Sequence, residues 1–348
     1  MAPKTTTSDS SDCGQLFMVG LPGPRPDPIA RELIRDLGVG GVILFARNIE
    51  APEQVWELIR DLQELAQAAR GRPLLVAVDQ EGGPVQRLKA PFTLIPGARE
   101  LGLAATPAEV EALFQRVGRE LASVGVNMNL APVLDVARSP ECPLWERSFG
   151  PDPERVAALG VAALRGLLAG GLCPVAKHFP GLGDTVRDSH VELPTATSPD
   201  PRRQADLIPF AAAVGAGVPA VMTAHVRIPA WDEQPGTLSA VAIQGWLRQT
   251  LGFSGVVMTD DLEMGAIREQ TAVPQAARQA LTAGADLLLI CENPQLAWEA
   301  AALLKEEPAL APRIQEAARR LAGLRTRVRP AMKSRPDLQS FFARLHNI

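Results

Sequence analysis

The chain has 348 residues, 46% of them apolar, which is enough for one large core or two ordinary ones. Aromatics reach only 4%, tyrosine is absent and the net charge is -4, which exclude a base-stacking surface and a basic face for phosphate backbones. The cysteines Cys13, Cys142, Cys173 and Cys291 stand far apart, without metal-ligand spacing and too few for a disulfide scaffold. Cys173 and Cys291 sit in apolar runs and are expected to be buried free thiols, which suits a reducing compartment.

The opening "MAPKTTTSDSSD" (1–12) is polar, carries no apolar signal-peptide core and is expected to be a disordered segment. No uncharged apolar run reaches membrane-spanning length, so a soluble, cytoplasmic protein is expected. Eight β-rich runs follow, at Gln15–Gly20, Gly40–Phe45, Pro73–Asp79, Val126–Val136, Cys173–Phe179, Ala220–Val226, Gly255–Asp261 and Asp286–Cys291. Most are continuously apolar, as strands buried on both faces should be.

Helical stripes lie between them. Val55, Leu58, Ile59, Leu62 and Leu65 form one, and Val110, Leu113, Phe114, Val117 and Leu121 another. Thr106-Pro107 with Glu109 reads as a capping box with proline at the first helical position, and Asp152-Pro153 and Asn293-Pro294 repeat the cap-then-proline signal.

Strands alternating with helices over this length predict an α/β fold, a single-domain (β/α)8 barrel over 13–328, with a doubly wound open sheet as the alternative. The last stretch, 329–348, reads as a C-terminal extension. Its Phe341, Phe342 and Leu345 could dock on the barrel or on a partner, and its His346 is expected to be solvated.

Barrel chemistry sits at the C-terminal ends of the strands. The third run ends in Asp79 and leads to Arg87. The fourth ends near Asp135, with Arg147 in the loop beyond, and the fifth ends in Lys177-His178. The sixth ends in His225, and the seventh in Asp260-Asp261. Charged groups at buried strand ends cost free energy unless they are paired or used. Asp135 reads best as a structural carboxylate. His225 is as readily a satisfied core histidine as a site residue, and Arg147 could simply brace its loop. Gly181 and Gly183 are read as loop geometry rather than a phosphate cradle.

The loop "KHFPGLGDTVRDSH" ends in Asp188-Ser189-His190. Such residues suit a surface turn. A carboxylate beside an imidazole also fixes its tautomer and raises its basicity, as a general acid/base requires, and a mobile loop could close it over substrate. Asp79, His178, His225 and Asp260 could in principle converge on a metal, but Lys177 beside them and the absence of HxH or HExxH spacing speak against it. A Schiff base on Lys177, as in a barrel aldolase, is a further chemical alternative, though it leaves Asp260 and the Asp188/His190 pair unexplained.

Five segments in order, "DQEGGPVQR", "NLAPVLDV", "AKHFPGLGDTVRDSH", "VMTAHV" and "LGFSGVVMTDDLEM", carry a resemblance that covers most of the chain. Together they resemble glycoside hydrolase family 3, in particular its single-domain bacterial β-N-acetylhexosaminidases. The resemblance implies a retaining enzyme that removes terminal N-acetyl-β-D-glucosamine, with muropeptide disaccharides of cytoplasmic peptidoglycan recycling as substrate class. It implies Asp260 as nucleophile, with Asp261 the runner-up by adjacency. His190 would be the acid/base with Asp188 as its dyad partner, and Asp79, Arg87, Arg147, Lys177 and His178 would bind the sugar. No metal or other cofactor is implied, the partner is a small sugar, and neither nucleic acid nor membrane is expected. The family commonly has histidine where this chain has Leu182, which bears on loop closure. Alternatives are a β-N-acetylglucosaminide phosphorylase and a non-catalytic sugar-binding barrel.

Overall fold

The structure is a computed structural model and describes residues 13–196, 200–328 and 336–346. The segment expected to be disordered, 1–12, lies outside the described residues.

The barrel closes from eight parallel strands: β1 Phe17–Gly20, β2 Gly41–Leu44, β3 Leu75–Val78, β4 Met128–Asn129, β5 Cys173–Phe179, β6 Ala220–Thr223, β7 Val256–Asp261 and β8 Leu287–Ile290. Each pairs with its sequence neighbours, and β8 returns to β1. This is the expected (β/α)8 architecture rather than an open sheet. In β1, β2, β3 and β8 every residue is buried, which explains the unbroken apolar runs.

Several strand boundaries differ from expectation; the sixth strand, for one, ends at Thr223 rather than Val226. Cys13–Leu16 form a 3₁₀ turn, so β1 starts later. The fourth strand shrinks from eleven expected residues to Met128–Asn129. Here side-chain amides take over part of the ladder. Asn127 Oδ1 accepts from Val76 N (2.8 Å) and its Nδ2 donates to Leu74 O (3.0 Å). Asn129 does the same with both backbone groups of Gln80, each at 3.0 Å. Pro132 then removes a backbone donor, and pairing resumes only at an isolated bridge between Val133 and Lys177.

The helices bury the expected stripes. In Pro52–Arg70, Val55, Leu58, Ile59 and Leu62 are buried, and Leu65 is half-buried. Deleting such a fully buried leucine to alanine typically costs about 3 kcal/mol. Thr106 and Glu109 form the reciprocal capping box, with Oγ1 of Thr106 accepting Glu109 N and Glu109 Oε2 accepting Thr106 N at 2.7 Å. Asp152 caps Pro153–Gly170. At the third proline signal Asn293 Oδ1 accepts Gln295 N (3.2 Å), and Pro294 falls just before the helix Gln295–Lys305 rather than inside it.

At the N-terminal end of the barrel strands, the buried Asp286 accepts from Arg248 (2.7 Å), Arg313 (2.6 Å) and Arg320 (3.1 Å) and from Val257 N (3.0 Å). Three guanidinium groups there hold the N-terminal face of the barrel together, on the side away from the loops that carry barrel chemistry. In the C-terminal helix Leu338–His346, Leu338 and Phe342 are buried, and the Phe342 ring stands edge-on to Phe92 at 4.9 Å. Phe341 is half-buried against Phe342, whereas the side chains of Leu345 and His346 lie outside the described residues.

Candidate active site

A cavity of about 460 Å³ opens at the C-terminal end of the barrel. Asp79, Arg87, Arg147, Lys177, His178, Asp188, His190 and Asp260 all line it, although they come from separate strands and loops. Apart from the neighbours Lys177-His178 and the pair Asp188/His190, these residues are far apart in sequence, and barrel closure brings them together.

Its inner wall is a network of alternating charge. Lys177, on β5 and 2% exposed, places Nζ 2.7 Å from Asp79 Oδ1 and 2.6 Å from Glu81 Oε1. Arg147 clamps Glu81 through two parallel bonds, Nε to Oε2 at 2.9 Å and Nη2 to Oε1 at 2.8 Å. Arg87 stands 3.6 Å from the outer oxygen of Asp79. Burial pushes the Glu81 carboxyl up, but Lys177 and Arg147 outweigh it and bring it down to about 2. Burial likewise disfavours the charge on Lys177, and Asp79 and Glu81 more than compensate, so its ammonium is held above the usual range. With its ammonium paired to two carboxylates, Lys177 is poorly placed to act as a carbonyl nucleophile, which speaks against the aldolase alternative.

Glu81 is the residue that sequence reasoning passed over. The available signal was charge balance: Lys177 and Arg147, brought inside together, need more counter-charge than Asp79 alone supplies.

Asp135 is fully buried and structural. Its Oδ2 accepts His178 N (3.0 Å) and faces His178 Nδ1 (2.8 Å), while Oδ1 accepts Leu182 N (2.6 Å). One carboxylate thus fixes the ring of His178 and the root of the loop that follows. His225 is a satisfied core histidine, with Nδ1 on Thr237 Oγ1 and Nε2 on the Asp261 carbonyl, both at 2.8 Å. Its two ring nitrogens are both engaged, so His225 has none left to ligate a metal. Burial lowers the basicity of its imidazole.

The loop after β5 passes close to the backbone of 136–137. A Cβ on Gly183 would stand 2.2 Å from Val136 O, and Gly181 has φ +115°, so these glycines are loop geometry, as expected. Leu182 is buried among Ala137, Cys142, Leu144 and Val226. Beyond it, Asp188 Oδ1 accepts His190 N (2.9 Å) and meets His190 Nδ1 (2.7 Å). Burial raises the Asp188 carboxyl, and the two His190 bonds more than reverse this, so it is held below the ordinary range and ionised. An ionised carboxylate only accepts, so Nδ1 carries the donated proton and Nε2 is left for chemistry. The His190 side chain is 65% exposed, open to water and to an incoming ligand.

β7 ends in the two aspartates. Burial disfavours the Asp260 charge, but His178, His225 and the Asp261 N–H favour it more strongly, and its carboxyl is held below the usual value. Asp261 is the reverse: burial pushes it up to about 7. Two adjacent carboxyls driven apart in this way point to different roles.

The sequence profile of the "Glycosyl hydrolase family 3 N terminal domain" matches residues 10–324. The chain belongs to glycosyl hydrolase family 3. It is 41% identical over 290 residues to a beta-hexosaminidase of Alkalilimnicola ehrlichii, covering 80% of this chain and 81% of that one. Among solved structures, a family 3 beta-N-acetylglucosaminidase from Paenibacillus sp. superposes with TM-score 0.90 at 38% identity, covering 97% of this chain and 68% of that one. A beta-N-acetylhexosaminidase from Beutenbergia cavernae gives 0.85 at 34% identity, covering 91% and 98%. As a family 3 member the chain is a glycoside hydrolase acting on a sugar, which sets aside the non-catalytic barrel. Among the described residues no helix is long and apolar enough to cross a membrane.

Proposed function

We propose that this family 3 hydrolase is a retaining exo-β-N-acetylglucosaminidase, with Asp260 as nucleophile and the Asp188-His190 dyad as acid/base. One observation carries the reading. Asp260 and His190 line the same cavity, and Asp260 is favoured as the charged carboxylate while its neighbour Asp261 is not.

In the first step the Asp260 carboxylate attacks the anomeric carbon. His190 Nε2–H gives its proton to the glycosidic oxygen as that bond breaks, leaving a glycosyl ester on Asp260 and a free alcohol. In the second step the now neutral Nε2 takes a proton from water, whose oxygen displaces Asp260 from the anomeric carbon. Two inversions return the β configuration, and both groups regain their starting state. Asp188 holds the imidazole in the tautomer that serves both steps. Asp79, Arg87, Arg147, Lys177 and His178 supply fixed donors and acceptors for the sugar hydroxyls and hold it in one orientation.

The Paenibacillus and Beutenbergia enzymes, similar along nearly the whole described barrel, support N-acetyl-β-D-glucosamine as the sugar removed. We extend the reading to disaccharides of cell-wall turnover as substrate class, and with them to the cytoplasm as the compartment. The test is release of the aryl group from an aryl N-acetyl-β-D-glucosaminide beside the matching β-glucoside, with Asp260→Ala as background and with and without phosphate. Preferential cleavage of the N-acetyl sugar, indifferent to phosphate and lost in the variant, is expected. Equal cleavage of both sugars overturns the sugar assignment, and acceleration by phosphate favours the phosphorylase.

A further inference from the structure

The loop that carries Asp188-Ser189-His190 is not loose at its tip. Its root is held by Asp135 through Leu182 N, and its exit by Arg227, whose N–H donates to Pro194 O and whose carbonyl accepts Ala196 N, each at 2.9 Å. Between them the side chains of Val186 and Val191 are exposed. The tip nonetheless meets the barrel through two backbone bonds. Gly265 N donates to His190 O (3.1 Å) and Ala266 N donates to Ser189 O (3.2 Å). These donors are the first residues of the short helix Gly265–Arg268, which begins just past the end of β7 and its two aspartates.

The approach leaves no room for a side chain. A Cβ on Gly265 would stand 2.1 Å from Val191 O, 2.6 Å from Val191 C and 2.8 Å from His190 O. Gly265 is not among the residues with left-handed φ, so its own backbone does not call for glycine. The constraint comes from the loop lying on it.

We propose that Gly265 is a positioning residue for proton transfer: the bare backbone at Gly265–Ala266 is the dock that holds the His190 tip over the cavity. The dock belongs to the segment that also carries Asp260. Nucleophile and acid are therefore referenced to one short stretch of chain rather than to opposite sides of the barrel. This rests on the assignment of His190 as acid/base.

The test compares Gly265→Ala with His190→Ala on two substrates. N,N′-diacetylchitobiose has a poor sugar leaving group, and dinitrophenyl N-acetyl-β-D-glucosaminide leaves with little protonation. The parameter is kcat/KM, which reports formation of the glycosyl ester and is blind to the later need for a base. Gly265→Ala is expected to lose about tenfold or more on the disaccharide and less than about threefold on the aryl substrate, since protonation helps only the former. In a His190→Ala background, which itself shows the larger split, it should cost nothing further. Ala266→Pro, which removes the donor to Ser189 O at a helix position that tolerates proline, should show the same split and stands in if Gly265→Ala does not fold. Equal losses on the two substrates, no loss, a gain on the disaccharide, or additive losses in the double variant overturn the dock. A split in His190→Ala with none in Gly265→Ala overturns the dock alone, whereas no split in His190→Ala shows that the acid/base assignment itself has failed.

Discussion

The Asp260 carboxylate accepts the backbone N–H of Asp261 at 2.8 Å, whereas Asp261 turns its own carboxyl to the N–H groups of Glu263 (3.1 Å) and Cys291 (3.2 Å). Adjacent residues at a strand end send their side chains to opposite sides. Both residues border the cavity, but the Asp261 carboxyl is committed to tying the loop after β7 to the end of β8, which leaves that of Asp260 for the sugar. Asp260→Ala is expected to lower turnover of aryl glycosides by about a thousandfold or more, because no other group can form the ester. Asp261→Asn keeps an acceptor oxygen for both N–H groups and should stay within about tenfold of the parent. Comparable losses in the two variants, measured on one aryl glycoside, would reverse the assignment.

Asp261 also makes stability depend on pH. Its folded value is raised to about 7 from 3.8. Between those values the native state holds a proton that the unfolded chain has released. The contribution is fully present at low pH and lost as pH rises toward 7. Asp261→Asn removes that titration. Urea midpoints measured from about pH 4.5 to about pH 7.5 should therefore fall less steeply in the variant than in the parent. Parallel curves would show that Asp261 is not the group responsible.

Glu81 works in the opposite sense. Its folded value is about 2, down from 4.5, so its contribution is present above 4.5 and lost as pH falls through the lower value. Glu81→Gln leaves Lys177 and Arg147 with one counter-charge fewer in a buried wall, and should cost about 3 kcal/mol. Because both cations face the sugar site, KM should rise more than kcat falls. Chemical denaturation and steady-state kinetics on the same preparation test both parts. Unchanged stability with unchanged KM would remove Glu81 from the site's framework.

Leu182 sits where the family commonly has histidine, and here it is 5% exposed in an apolar cluster. Leu182→His places a polar ring in that apolar cluster, at the edge of the cavity. A stability loss of about 1–2 kcal/mol is expected, with kcat changed more than KM because the loop carrying His190 starts at this residue. Thermal unfolding together with kcat and KM decides it. Kinetics identical to the parent would show that the position does not govern loop closure.

The continuous apolar runs, the amphipathic stripes and the capping box at Thr106 are legible because they are local: run, period, cap and proline act within a few residues of themselves. Strand-end polar residues were legible for a related reason, since an apolar run that stops at Asp79 or Asp260 marks where a barrel strand meets water. The fourth strand was overdrawn because nothing in "VNMNLAPVLDV" says that its asparagines will bond across to the backbone of β3 and the segment just beyond it.

By itself the sequence determined the barrel, the family and the set of polar groups delivered to one rim, since each of these follows from short-range pattern or from ordered motifs. Only the tertiary structure decided how the charges pair. Glu81 meets Lys177 and Arg147 across long stretches of chain, Asp135 proves structural, and the two aspartates of β7 part company. The loop tip rests on Gly265 for the same reason. Coulomb energies, desolvation and close backbone approach depend on distances between residues far apart in sequence, and those distances exist only once the barrel has closed.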